Sequence, residues 1–265
     1  MHLVLDSISV CKCVDYTKII KNQIRPSLQN VKKYSYLIGL HLYEILLKMT
    51  NKRPLILVTN DDGITAPGIR ALIQIMNTIG DVIVVAPDRP QSGMGHAITV
   101  DNVLHCNPIT IDDGPQIEYS CSGTPADCVK MAVNEILNRK PDLCVSGINH
   151  GSNSSINVIY SGTMSAALEA SIESIPSIGF SLLDLSHDAD FTAAAHFAGI
   201  IIKQVLADKN LDKHLCLNVN IPNICEEDHK GIKICRQANG VWQEEFDKTT
   251  DENGSEYFTL TGSFN

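Results

Sequence analysis

The chain has 265 residues, 44% hydrophobic and 19% charged, enough for one sizeable α/β domain or two small ones with a real core. Its net charge of −9 argues against a sequence-independent grip on a nucleic-acid duplex, which needs basic stripes to displace counterions. No run approaches the roughly 18 to 20 apolar residues of a membrane span, and the start, "MHLVLDSISVCKCVDYTK", carries an acid inside its short apolar run, unlike a secretory signal.

A cytoplasmic protein is therefore expected, and the nine cysteines fit it. Their number is odd and several lie in apolar runs such as "PDLCVSG" and "HLCLNVN", which points to free buried thiols in a reducing compartment. Zinc is disfavoured because no C-x-x-C occurs and the closest pair, Cys11 and Cys13, has no matching cluster.

Residues 1–48 hold seven Lys/Arg against three Asp/Glu, the reverse of the balance elsewhere, and this marks a boundary. Within them "YLIGLHLYEILL" has the pattern of an amphipathic helix laid on the domain or on a partner. The other reading makes Met49 the biological start and residues 1–48 a non-native or disordered extension. The expected division is 1–48 as that extension, 49–235 as an α/β domain and 236–265 as a partial C-terminal arm.

From Pro54 the pattern alternates. "LILVTN" is a short apolar run bounded by turn residues, as in a strand buried on both faces. A helix follows from Pro67, with Ile69, Leu72, Ile73 and Met76 at i, i+3, i+4, i+7 and Gly80 past its end. "DVIVVAPD" is a second strand. Residues 97–121 break the rhythm, with "AITVDNVLHC" and "QIEYSC" flanking the turn signal "IDDG", so a small antiparallel excursion is expected. In "GTPADCVKMAVNEIL" Thr124 can cap, Pro125 suits the first helical position and Asp127 the third. "PDLCVSG" (strand), "TMSAALEASIES" (helix), "PSIGFSLLD" (strand), "FTAAAHFAGIIIKQVLA" (helix) and "LCLNVNIP" (strand) complete the series. The tail is polar and turn-rich, and "SEYFTLTG" reads as one strand of a hairpin arm whose partner is not in this chain.

Strands alternating with helices call for a mainly parallel sheet covered on both faces, and ligands then sit outside the carboxyl ends of the strands. The residues there are Asn60, Asp61, Asp62 and Gly63 after the first strand, Asp88 and Ser92 after the second, and Asn149, Asn153, Ser161 and Thr163 after the third. Two carboxylates, a hydroxyl and an amide carbonyl form an all-oxygen set suited to Mg²⁺, Mn²⁺ or Ca²⁺, and a cation would turn the repulsion between Asp61 and Asp62 into shared attraction. The plainer alternative is a βα turn with Asp62 capping the helix and Gly63 at positive φ. Ser161, Gly162 and Thr163 stand at a helix mouth, which favours an anion, or else Ser161 and Thr163 are ordinary caps. His96 and His150 lie in these loops as proton donors or as polar surface. No P-loop motif and no G-x-S-x-G elbow is present, and "GMGHAI" does not make a dinucleotide fingerprint.

The motifs "ILVTNDDGITAPGI", "VVAPDRPQSGMGHAIT", "CSGTPADCV" and "VSGINHGSNSSINVIYSGTMSAALEA", in that order and spacing, resemble the SurE family of survival-protein nucleotidases over about residues 54–264. The resemblance implies a Rossmann-like three-layer sandwich with a C-terminal hairpin arm, and metal-dependent hydrolysis of nucleoside 5′- and 3′-monophosphates. It also implies Asp61, Asp62, Ser92 and Asn149 as ligands of one divalent ion, Asn60, Gly93, Ser161, Gly162 and Thr163 as the phosphate pocket, and a homodimer or tetramer built by exchange of the arm. Either Asp61 or Asp62 could serve as base or nucleophile. The chain departs from the family pattern in three places. Ser154 and Ser155 stand where a glycine is expected, residues 1–48 have no counterpart, and the strand block expected after "YFTLTGSFN" is missing, so the arm is expected to be incomplete. The alternatives to a nucleotidase are a broader small-molecule or polyphosphate phosphatase and a non-catalytic nucleotide sensor.

Overall fold

The computed structural model describes residues 8–12 and 53–265. The amphipathic run at 36–47 and the proposed start at Met49 lie outside the described residues. In chain order the strands are β1 (Ile8–Lys12), β2 (Leu55–Thr59), β3 (Asp81–Pro87), β4 (Cys106–Ile109), β5 (Ile117–Cys121), β6 (Leu143–His150), β7 (Ser177–Leu183), β8 (Cys216–Pro222), β9 (Ile232–Cys235), β10 (Trp242–Thr250) and β11 (Glu256–Phe264). The helices are α1 (Pro67–Ile79), α2 (Pro125–Met131), α3 (Asn157–Tyr160), α4 (Gly162–Ile172) and α5 (Thr192–Ala207). Among these residues no helix is long and apolar enough to cross a membrane.

The sheet runs β4-β5-β3-β2-β6-β7-β8-β1-β9. From β5 to β8 every pairing is parallel. β4 adds antiparallel to β5, and at the other edge β1 runs antiparallel to β8 with β9 beside it. The chain starts this parallel core at β2, winds outward through β3 and β5, then returns to the other side of β2 as β6. The topological switch point thus lies between β2 and β6, where an open α/β sheet leaves a crevice at its carboxyl end.

Alternation along β2 builds the two outer layers. Ile56 and Val58 face a core shared with Ile69, Leu72 and Met76 of α1 and Ala198 and Ile202 of α5. Leu57 points the other way, among Cys128 and Val129 of α2 and Ala166 and Ala170 of α4. Cys121, Cys128 and Cys144 are buried free thiols in that second layer.

The local signals set most helix boundaries. α1 begins at Pro67, and its C-cap is Gly80. At α2 the Asp127 N–H donates to Thr124 Oγ1 (3.1 Å) while the Thr124 N–H donates to Asp127 Oδ2 (2.9 Å), a reciprocal capping box. Because Thr124 Oγ1 also donates to the Ala97 carbonyl (2.7 Å), Thr124→Ala should lower stability by about 1–2 kcal/mol in urea unfolding. After Met131 the α-helix gives way to a single π-type turn over Ala132–Ile136. The excursion is narrower than its sequence pattern, since residues 97–105 form no strand and the antiparallel pair is β4 with β5.

The arm corrects one expectation. The partner of "SEYFTLTG" is in this chain: β10 and β11 form a nine-pair antiparallel hairpin from Trp242↔Phe264 to Thr250↔Glu256. β10 was hidden because "WQEEFDKTT" is exposed at every position, so charged residues replace the apolar alternation of a half-buried strand.

Candidate active site

The loops after β2, β3 and β6 converge as predicted, around a cavity of about 660 Å³ lined by Asp61, Asp62, Ser92, Gly93, Asn149 and Ser161, among others. Asn60, Gly162 and Thr163 do not line it and sit behind Asp61. The Asn60 amide donates to the Gly63 carbonyl (2.8 Å), closing the turn that Gly63 enters at φ +97°. Ala66 is the N-cap of α1 and makes no side-chain cap bond, so Asp62 does not cap the helix.

Asp61 is the most constrained group. The Thr163 hydroxyl donates to its Oδ1. Gly162 is pressed against it, since a Cβ there would lie 2.6 Å from Asp61 Cβ. Ser161 is the N-cap of α4, its Oγ accepting from the Met164 N–H (3.1 Å). The helix mouth therefore holds a carboxylate of its own chain, and the plain cap reading applies to Ser161.

Burial, and then the charge of Asp62, raise Asp61 from 3.8 to about 6, against the lowering effect of Thr163. The folded chain thus keeps a proton that the unfolded chain releases across that interval. Metal-free protein should lose up to about 3 kcal/mol as pH rises from about 4 to about 6, with the cost fully present above it. A bound cation would replace the proton. Mn²⁺ should then raise Tm more at about pH 7 than at about pH 5, relative to EDTA, in thermal melts.

Asp62 is held on one side. Its Oδ2 accepts from the His150 N–H (3.3 Å) and lies 3.4 Å from His150 Nδ1, whose ring meets Phe191 edge-on at 4.8 Å. The Asn149 amide donates to the carbonyls of His150 (2.8 Å) and Gly151 (3.0 Å), which fixes its NH₂ and leaves Oδ1 as an uncommitted oxygen. Asn60 Oδ1 is buried without a partner. Among the described residues no group of three His, Cys, Asp or Glu could hold a metal ion, so a cation at this rim would need a set of two carboxylates completed by neutral oxygens. That set fits a hard divalent ion.

Two sequence candidates fall elsewhere. Asp88 is exposed beside Arg89 (3.8 Å). His96 does not line this cavity: its Nε2 pairs with the buried Glu169 (2.8 Å), which also accepts from Lys130 Nζ (2.6 Å) and ties the Ser92 loop to α4. Asn153 does line the cavity and belongs to a buried amide network. Its N–H donates to Asn220 Oδ1 (3.0 Å), and its carbonyl accepts from the Asn218 amide (2.7 Å).

The family model of survival protein SurE matches residues 56–244. A protein of Christiangramia forsetii named 5′-nucleotidase SurE is 66% identical over 217 residues, covering 82% of this chain and 83% of its own. The chain belongs to the SurE family. A relative of the same name from Flavobacterium psychrophilum is 63% identical over 212 residues, covering 80% of this chain and 82% of its own. The crystal structure of the SurE protein from Aquifex aeolicus superposes with a TM-score of 0.68 at 40% identity, covering 79% of this chain and 82% of that one.

With the SurE fold in place, the loop departure has a local account. Ser155 adopts φ +54°, the left-handed conformation that glycine takes most easily. Its Oγ accepts from the Gly240 N–H (3.2 Å) and its carbonyl from Gln237 Nε2 (2.8 Å), bonds that help hold the turn against the root of the arm. The reading of this SurE sequence missed the cavity residues Tyr160, Leu185, Trp242 and Phe264. The available signal was the lone tryptophan in a polar tail.

Proposed function

We propose that this chain hydrolyses nucleoside 5′- and 3′-monophosphates to nucleoside and phosphate, with one divalent ion, Mg²⁺ or Mn²⁺, held by Asp61, Asp62, Ser92 and Asn149. The observation that carries the reading is a charge deficit. The cavity holds two adjacent carboxylates and no lysine or arginine among its lining residues, so a phosphate dianion could enter only with a cation. The relatives named 5′-nucleotidase SurE support nucleotides as the substrate class.

Such an ion would supply Lewis-acid polarisation of the phosphate and of the attacking water. The chain's residues supply the rest. Thr163 and Gly162 hold Asp61 still, and His150 fixes one oxygen of Asp62. Ser161 and the N–H of Gly93, both on the cavity wall, receive the phosphate, Gly93 permitting close approach. Water attacks phosphorus in line as the ester P–O bond breaks, and the proton the water loses balances the one the leaving nucleoside oxygen gains. Asp61, with an oxygen committed to Thr163, suits a fixed ligand better than a nucleophile.

Residues 49–235 form the catalytic unit in this reading, and 236–265 the arm through which two or four copies associate. Phe246, Tyr257, Phe258 and Leu260 stand exposed on that hairpin, which supports the assembly. The buried thiols support a cytoplasmic setting. Phosphate release should be measured with 5′- and 3′-nucleoside monophosphates and tripolyphosphate in Mn²⁺. Faster release from monophosphates is expected. Preference for tripolyphosphate would favour the broader phosphatase, and nucleotide binding without release the sensor.

A further inference from the structure

The cavity that holds Asp61 and Asp62 also has an aromatic wall, which phosphate chemistry does not use: Tyr160, Trp242 and Phe264. These rings are about half exposed, at 50%, 45% and 41%. Trp242 is nonetheless fixed. Its indole N–H donates to Asn157 Oδ1 (2.7 Å) in α3, the helix that carries Tyr160. Phe264 is its cross-strand partner and meets it at 5.4 Å with the planes at 65°. Just outside this pair, Val241 and Asn265 exchange two backbone hydrogen bonds of 3.0 Å and close the hairpin end. An indole tied at its polar end and braced by a neighbouring ring, yet left open to a cavity, presents a rigid apolar face at little further entropic cost.

We infer that Trp242, braced by Phe264, is the platform on which the substrate's nucleobase stacks. The inference rests on the nucleotidase reading and deepens it. The phosphate occupies the Asp61–Asp62 region, the ribose spans the cavity, and the base lies on the indole. A volume of about 660 Å³ is in the usual range for a small-molecule site. Stacking tolerates any base, because each has a π face, and it favours purines by area. Trp242 therefore discriminates nucleotides from base-free phosphomonoesters, and it makes the arm part of the substrate site.

Trp242 is the single tryptophan of the chain, so its fluorescence reports on the platform directly. Full-length protein in Mn²⁺ should be titrated separately with adenosine, which has a base and no phosphate to lose, and with ribose 5-phosphate. Adenosine should quench or shift the emission, uridine should do so more weakly, and ribose 5-phosphate should leave it unchanged. In parallel, Trp242→Ala should raise KM for adenosine 5′-monophosphate by about 5- to 100-fold with little change in kcat, and Trp242→Phe should recover most of the loss. Unchanged emission at saturating adenosine, or a Trp242→Ala variant with wild-type KM, overturns the platform even if nucleotides are hydrolysed. Quenching by adenosine in a protein that releases no phosphate from any monophosphate leaves the platform standing and removes the nucleotidase reading.

Discussion

Replacing Asp62 by asparagine is expected to reduce phosphate release from nucleoside monophosphates by at least about 10³-fold while making the metal-free protein more stable. In the proposed reading the loss follows from removing a charged ligand of the ion that offsets phosphate repulsion, an interaction worth several kcal/mol in the transition state. The gain follows because the Asp62 charge is one of the two causes that push Asp61 up to about 6. An amide at position 62 would remove that repulsion, and the His150 N–H would keep an acceptor. Opposite signs for activity and stability mark a group kept for function at a cost to the fold. Phosphate release in Mn²⁺ and urea midpoints in EDTA measure the two effects. Activity within about tenfold of wild type would remove Asp62 from the site.

Gly162→Ala is the second large effect, and it acts without touching a charge. The new methyl would lie 2.6 Å from Asp61 Cβ and 2.9 Å from its Oδ2, so either α4 or Asp61 must move. Overpacking of this kind costs about 1–3 kcal/mol. A displacement of Asp61 by about 1 Å should lower kcat by about 10²-fold. Ser165→Ala, on the same helix with its hydroxyl bonded to the Ser161 carbonyl (2.6 Å), makes a control. It should cost about 1 kcal/mol of stability and leave kcat within a few fold. Equal losses of kcat in the two variants would show that the helix mouth is merely structural.

The parallel core was legible because its signals are local. Apolar runs without alternation mark strands covered on both faces, and Pro67, Gly80 and the Thr124–Asp127 box punctuate helices irrespective of what they pack against. The same logic placed Asp61, Asp62, Ser92, Asn149 and Ser161 on one rim, since every strand end in a parallel sheet points to the same edge. Sequence was silent where a side chain's role depends on a distant partner. Nothing near Thr163 shows that its hydroxyl turns to Asp61, 102 residues away. Glu169 could not be matched to His96 and Lys130 without the packing of α4. The alternating asparagines of "LCLNVNIP" were a readable oddity in a buried strand, and their network with Asn153 fixes the loop that carries the site. β10 escaped because a strand exposed on both faces leaves no hydrophobic period to detect. Trp242 escaped with it.

The most direct measurement is the rate of phosphate release from adenosine 5′-monophosphate as Mn²⁺ is titrated into protein stripped with EDTA. In the proposed reading Asp61 and Asp62 with Asn149 and Ser92 form one cation seat, so the rate should rise from near zero and saturate at one ion per chain, and Asp62→Asn should abolish the rise. Release that continues undiminished in EDTA would contradict the account.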